Sequence, residues 1–450
     1  MTTKENRLGS QDIKSLLVSL AIPAIIGQLV SLIYNIVDRI YIGRIEGIGS
    51  IALTGVGVCA PLLIVIAAFA VLIGVGGAPR ASIKMGENDK EGTEKILGNC
   101  FITLIGISIV LTILFLIFNE KLLMLFGASE KTLPYALEYM NIYSLGIIFV
   151  MITIGMNPFI TAQGFAKVSM LTVSIGAVLN IILDPIFIYA LNMNVKGAAL
   201  ATVISQAVSA LWVMHFLKKK SNLKIKRKYY KVEKDIIMPV LLLGLSPFVM
   251  QITESFLMIA FNAKLQIYGG DIAVGAMTIA TTAMNFIYLP LSGITQGAQP
   301  IMSYNYGARN KERMKETFKY LIKSTMLYSI MFFIFIMFFP KFFASIFTSD
   351  QELIDIAAKG LRVYMAGTLA VGVQTSCQHT FLALGNARTS LFLALLRKVI
   401  LLIPMIFILP LFFENKVFAV FLAEPIADII AAIVTATLFY KYFKKTLNSI

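Results

Sequence analysis

Long hydrophobic runs, each closed by glycine, proline or a cluster of charge, recur along almost the whole chain. A helix needs about 20 mostly apolar residues to cross the hydrocarbon layer, and Gly, Pro and charged clusters mark where such helices stop. The pattern predicts twelve spans, near residues 15–43, 50–77, 95–118, 136–157, 166–190, 196–217, 236–268, 272–300, 317–339, 357–383, 389–412 and 417–440, numbered 1 to 12 below. The polar stretch from Thr2 to Lys14 leads straight into the first run with no small-residue cleavage pattern, so that run reads as a retained span.

Composition agrees with lipid as the solvent. Hydrophobic residues make up 58% of the chain and charged residues 14%, with a mean hydropathy of +0.82, whereas charged residues make up about a quarter of a globular chain. A net charge of +15 could point to nucleic acid, but in a membrane protein the location of the positives matters more. If the first loop is outside, the inside segments hold Arg80, Lys84, Lys90 and Lys95, then nine basic residues from Lys218 to Lys234, then Arg309, Lys311, Arg313, Lys315 and Lys319, and finally Lys441, Lys444 and Lys445. Outside loops hold isolated ones such as Lys121, Lys131, Lys196 and Lys416. The positive-inside rule then places both termini and the central loop in the cytoplasm of a prokaryotic cell (inner) membrane, and no nucleic-acid partner is expected. Cys59, Cys100 and Cys377 fall in apolar segments with neither disulfide nor metal-ligand spacing.

The basic segment 218–235 divides the chain near its midpoint into 1–217 and 236–450, and the halves repeat. A shift of 221 residues lays Gly76, Pro79, Ser82, Gly86, Lys90 and Glu91 over Gly297, Pro300, Ser303, Gly307, Lys311 and Glu312. The same shift lays Gly164, Ala166, Lys167 and Ser169 over Gly385, Ala387, Arg388 and Ser390. Six spans separate the copies, so both halves start on the same side and the repeat is parallel. The expected fold is an all-α membrane protein, two six-helix bundles about a V-shaped central cleft that opens to either side in turn. The repeated loops, GENDKE from Gly86 and GARNKE from Gly307, read as helix ends fixed on the cytoplasmic side, and no GxxxxGKS or GxGxxG is present to cradle a nucleotide.

Function then rests on polar residues within the membrane, where an ionised side chain costs about 2.5 to 3.5 kcal/mol even on insertion scales. The candidates are Asp38, Asp184, Glu254, Glu424 and Asp428, with Arg397 and Lys398. Asp38 lies near the outer end of span 1. Asp184 and Thr202 each lie about six residues, roughly 9 Å, inside the outer ends of spans 5 and 6. One layer can hold all three. Asn180 precedes Asp184 by four residues and Ala198 precedes Thr202 by four, so each pair shares a helix face. Pro185 denies the Ile181 carbonyl its helical donor. Two carboxylates, an amide oxygen, a hydroxyl and a loosened carbonyl are the hard oxygen donors that H+ or Na+ takes. The plainer alternative is that Asp184 caps a bent helix and Asp38 pairs with Arg39.

Over nearly its whole length the chain resembles the multidrug and toxic compound extrusion (MATE) family, at YNIVDRIYIGR around Asp38, NIILDPIFIY from Asn180 to Tyr189, GAALAT from Gly197 to Thr202, GAQPIMSYNYGARN from Gly297 to Asn310 and EPIAD from Glu424 to Asp428. The resemblance implies a cation-coupling site at Asp38, Asn180, Asp184 and Thr202, with Ala198 giving a backbone oxygen. It implies substrate contacts at Tyr34 and Asn157, and it matches Glu254 to a glutamate used for coupling or for substrate charge. The usual companion aspartate on span 10 is missing, which leaves packing beside Gln251 as the alternative for Glu254. The repeat takes Asp184 to Met405, and a slightly longer shift takes Asp38 to Asn262, so this site is expected in the N-terminal bundle alone. Arg397 and Lys398 are read as ion-pair partners of Asp428, and His379 as an interface residue.

The expected activity is secondary active multidrug efflux, exporting amphipathic, mainly cationic small molecules by H+ or Na+ antiport, without cofactor and as a monomer. Its 32 Phe, 17 Tyr and 21 Met residues supply adaptable apolar lining. A flippase for lipid-linked saccharides is the alternative, and it would need cationic residues facing the cleft. A membrane enzyme is disfavoured, because the chain has only two histidines and no HExxH.

Overall fold

The computed structural model describes residues 6–450, so Thr2 to Glu5 of the polar lead-in lie outside the described residues. Helix is the only regular structure among the described residues, as lipid demands of a chain that must satisfy its backbone internally. Among the described residues, ten helices are long and apolar enough to cross a membrane: Ile13–Gly43, Gly49–Gly86, Lys90–Leu125, Ala166–Ala190, Asn194–Lys220, Lys234–Gly307, Lys311–Phe338, Gln351–Ala383, Ala387–Leu411 and Lys416–Ser449. A bent pair, Leu133–Leu145 and Ile147–Ala162, adds an eleventh. Lys234–Gly307 is two helices joined at Gly270, whose φ of 62° and ψ of −160° break the helical path, which gives the twelve spans expected. The chain is a multi-pass membrane protein.

Two details depart from the simple reading of the apolar runs. Span 4 bends by 60° at Gly146, where a Cβ would lie 2.5 Å from the Val203 side chain; the missing side chain lets span 6 approach the break. Spans 5, 6 and 11 also contain π-helical turns, at Ile186–Ala190, Phe216–Lys220 and Leu396–Leu402, and the first of these directly follows Pro185.

The chain divides into two compact units, one covering Ile22–Phe248 and the other Val249–Ile450 with the N-terminal stretch through Ala21. The first has a continuous core that includes Leu62, Leu97, Met151, Phe159 and Val240. Its spans 2 and 4 meet so closely that a Cβ on Gly74 would fall 2.6 Å from the Gly155 carbonyl. The basic segment after span 6 is fastened to the same unit: Ser221 donates to Gln163 Oε1 at 2.6 Å, Lys226 pairs with the buried Glu94 at 2.5 Å, and the Glu233 N–H donates to Asn99 Oδ1 at 2.6 Å. In the second unit, Asn305 and Arg313 both donate to the Leu8 carbonyl, at 3.0 and 3.1 Å, and Arg313 reaches the Gln11 carbonyl at 2.7 Å. These bonds explain why the start of the chain packs with its second half.

The repeat is also visible in the hydrogen bonds. Ser82 donates to the Ala162 carbonyl at 3.0 Å, and Ser303 donates to the Ala383 carbonyl at 2.7 Å, both ends displaced by 221 residues. Asp89 and Asn310 cap their helices by accepting from the N–H groups of Gly92 and Arg313. The residues just before those caps, Asn88 and Arg309, share a left-handed backbone at φ 59° and 55°. The Gly92 N–H holds the Asp89 carboxyl below the usual carboxylate range.

Candidate functional site

Within the N-terminal unit, four residues named from the sequence converge. Asn180 and Asp184 project from one face of span 5, and the Asn180 amide donates to Asp184 Oδ1 at 3.2 Å and to Thr202 Oγ1 at 3.4 Å. Thr202 donates in turn to the Ala198 carbonyl at 3.0 Å. Asp38 turns its carboxyl to Asp184 rather than closing an ion pair with Arg39. Asn180 and Asp184 are buried.

The local backbone accounts for this convergence. Beyond Pro185 the π-helical turn carries Tyr189 round to span 1, where its hydroxyl donates to the Tyr41 carbonyl at 2.7 Å and the two rings meet edge to face. That contact fixes the C-terminal end of span 1, three residues from Asp38. On the other side, Gly197 lets span 6 lie against the π turn, because a Cβ there would come within 2.7 Å of the Phe187 carbonyl carbon. Ser209 donates to the Thr172 carbonyl at 3.1 Å and ties spans 5 and 6 farther along.

Three oxygens at this point are buried with no hydrogen-bond partner: Asp38 Oδ1, Asp184 Oδ2 and Asn180 Oδ1. All three are acceptors only when the carboxyls are ionised. Two facing carboxylates repel, and unpaired buried acceptors cost roughly 1 to 3 kcal/mol each. The arrangement therefore calls for a positive species, a proton or a small cation held by oxygen.

One participant escaped the sequence reading. Tyr139, buried on span 4, neighbours Thr202 and faces Asp38. Nothing in its spacing marks it, since the contact joins positions far apart in the chain. Tyr34 sits one turn before Asp38, and its ring neighbours Asp38. Asn157 donates to the Ser169 carbonyl at 3.2 Å and keeps a buried, unpartnered Oδ1.

In the C-terminal unit Glu254 pairs with Lys398 at 2.8 Å, its own side chain 68% exposed and that of Lys398 6%. Its partner is thus Lys398, rather than the neighbouring Gln251. Arg397 pairs with Asp428 at 2.6 Å as expected, whereas Lys398 turns away from Asp428.

A multi-pass helical protein with buried, unpartnered acceptors inside its helices has features of a membrane transporter. The comparisons with known proteins make this specific. The MatE family model matches residues 23–186 and 247–408, one match in each half. The chain belongs to this family, that of the MATE transporters. It is 27% identical over 417 residues to the multidrug export protein MepA of Staphylococcus aureus (strain NCTC 8325 / PS 47), covering 92% of this chain and 91% of that one. The Staphylococcus haemolyticus MepA is 26% identical over 421 residues, 93% and 92% of the two chains. Among solved structures, a MATE protein in the bent conformation superposes with a TM-score of 0.93 at 26% identity, covering 100% of this chain and 99% of that one. An outward-facing multidrug resistance MATE transporter gives 0.91 at 26% identity, with 99% of each chain covered.

Proposed function

We propose that this protein exports amphipathic, mainly cationic small molecules in exchange for H+ or Na+, with Asp38, Asn180, Asp184, Thr202 and the Ala198 carbonyl forming the coupling site. The observation that carries this reading is the set of three buried acceptor oxygens without partners, two of them on facing carboxyls. A cation entering there satisfies them, and a driving gradient then acts through the difference in cation affinity between two conformations. Each charge crossing the membrane supplies about 2.3 kcal/mol per 100 mV. Relatives that are named multidrug exporters support the substrate class.

Tyr34, Asn157 and Glu254 are the substrate contacts in this reading. Tyr34 offers an aromatic face beside Asp38, Asn157 a free acceptor, and Glu254 an exposed carboxylate whose charge Lys398 screens. Both termini are cytoplasmic, the repeats are 1–217 and 236–450 joined by 218–235, and a single chain carries the complete cycle. A lipid-linked saccharide flippase fits less well, since Arg397 and Lys398 are already held by carboxylates.

The test is uptake of a fluorescent organic cation into proteoliposomes, with proton and sodium gradients imposed separately. Uptake driven by one of them supports the reading. Uptake indifferent to both, with protein that binds the dye, would remove it.

A further inference from the structure

A second group of buried charges lies in the C-terminal unit, apart from Asp38 and Asp184. Glu424 and Asp428 stand one turn apart on span 12, 2% and 1% exposed. Arg397, on the π-helical turn of span 11, donates from Nε to Asp428 Oδ1 at 2.6 Å, from Nη2 to Glu424 Oε1 at 3.4 Å, and to the Tyr288 hydroxyl. Lys398 binds Glu254 at 2.8 Å. Tyr364, also buried, faces the three carboxyls.

Three acids, Glu254, Glu424 and Asp428, are set against two bases, Arg397 and Lys398, so the fully ionised group has one negative charge in excess. A buried group in that position neutralises rather than stay charged. The geometry identifies which one. Asp428 has the short contact to Arg397 and Glu254 the short contact to Lys398, while Glu424 has only a long contact, from a guanidinium already committed elsewhere. Asp428 Oδ2 is buried and has no hydrogen-bond partner. An ionised Glu424 has nothing to give it, whereas a protonated Glu424 carries one O–H donor, one turn away on the same helix face. A metal ion would have to sit against both a guanidinium and an ammonium, but a proton needs only the carboxyl oxygen.

We propose that Glu424 is a second proton-binding site, its carboxylic O–H donating to Asp428 Oδ2. The protein then has two protonatable centres, one in each unit, and the second stands whether or not the first couples transport.

The test is infrared spectroscopy of the full-length protein in lipid, carrying Asp38→Asn and Asp184→Asn so that the first centre is silent. A protonated-carboxyl C=O band at neutral pH that shifts on deuterium exchange and vanishes when Glu424→Gln is added is the expected result. No such band, or a band untouched by Glu424→Gln, overturns the proposal. Melting temperature is the second measurement. Glu424→Gln, which keeps a donor toward Asp428, should leave it in place, and Asp428→Asn, which strips Arg397 of its carboxylate, should lower it. A Glu424→Gln protein that melts as low as Asp428→Asn, or fails to fold, shows an ionised Glu424 and contradicts the proposal.

Discussion

The carboxyls of Asp38 and Asp184 face one another, and each keeps one buried oxygen without a hydrogen-bond partner. Span 1 reaches span 5 there because the Tyr189 hydroxyl, on the π turn after Pro185, holds the Tyr41 carbonyl at 2.7 Å. Removing that hydroxyl should loosen the pair without touching either acid. Tyr189→Phe is expected to reduce gradient-driven transport severalfold while leaving folding intact, since one partly exposed hydrogen bond is worth about 0.5 to 1.5 kcal/mol. Unchanged transport would mean that span 1 is held by other contacts.

Thr202 contributes one neutral oxygen of several, bonded to the Ala198 carbonyl and the Asn180 amide. Thr202→Val should therefore weaken the apparent affinity for the driving ion without abolishing transport. The measurement is the ion concentration at half-maximal efflux. A complete loss would make Thr202 as important as the acids, which this geometry does not provide for.

Gly197 supports the site through shape alone. A methyl at this position would lie 2.7 Å from the Phe187 carbonyl carbon and 2.8 Å from the Ile188 N, so Gly197→Ala must push span 6 from the π turn. Overpacking of this kind costs roughly 1 to 3 kcal/mol, seen as a lower melting temperature in detergent. A variant that melts like the parent would show that the turn yields freely.

Lys398 and a substrate cation would compete for the carboxylate of Glu254. Glu254→Gln should impair transport of cationic substrates more than of neutral ones. Lys398→Met should raise cation affinity, because Glu254 is 68% exposed and is left unscreened. Equal effects on cationic and neutral substrates would assign Glu254 to packing.

The basic loops are expected to set the orientation in the membrane. A reporter after Lys228 should be cytoplasmic and one near Asn192 outside; both on one side would contradict the twelve-span topology.

Apolar run length was enough to find the spans, and the 221-residue register anticipated paired contacts such as Ser82 to Ala162 and Ser303 to Ala383. Counting residues from helix ends put Asp38, Asp184 and Thr202 in one layer, because rise per residue is fixed in a helix. Direction around the helix axis is less legible. The π turn Leu396–Leu402 alters that direction where Arg397 and Lys398 lie, and the two neighbours part to different acids, Asp428 and Glu254. Tyr139 joins the site through a contact between distant spans, which no local pattern encodes. The break at Gly146 was hidden for a similar reason: it depends on Val203, on another helix.

If Asp38 and Asp184 carry the coupling ion, Asp38→Asn and Asp184→Asn should separate gradient-driven efflux from gradient-free substrate binding. A neutral amide is cheaper to insert in the membrane than a carboxylate, so both variants should reach the membrane normally. Efflux should be abolished in each, and binding of the organic cation should persist at least in part, since the charge removed belongs to the ion. Full gradient-driven efflux by both variants at normal expression would place coupling elsewhere.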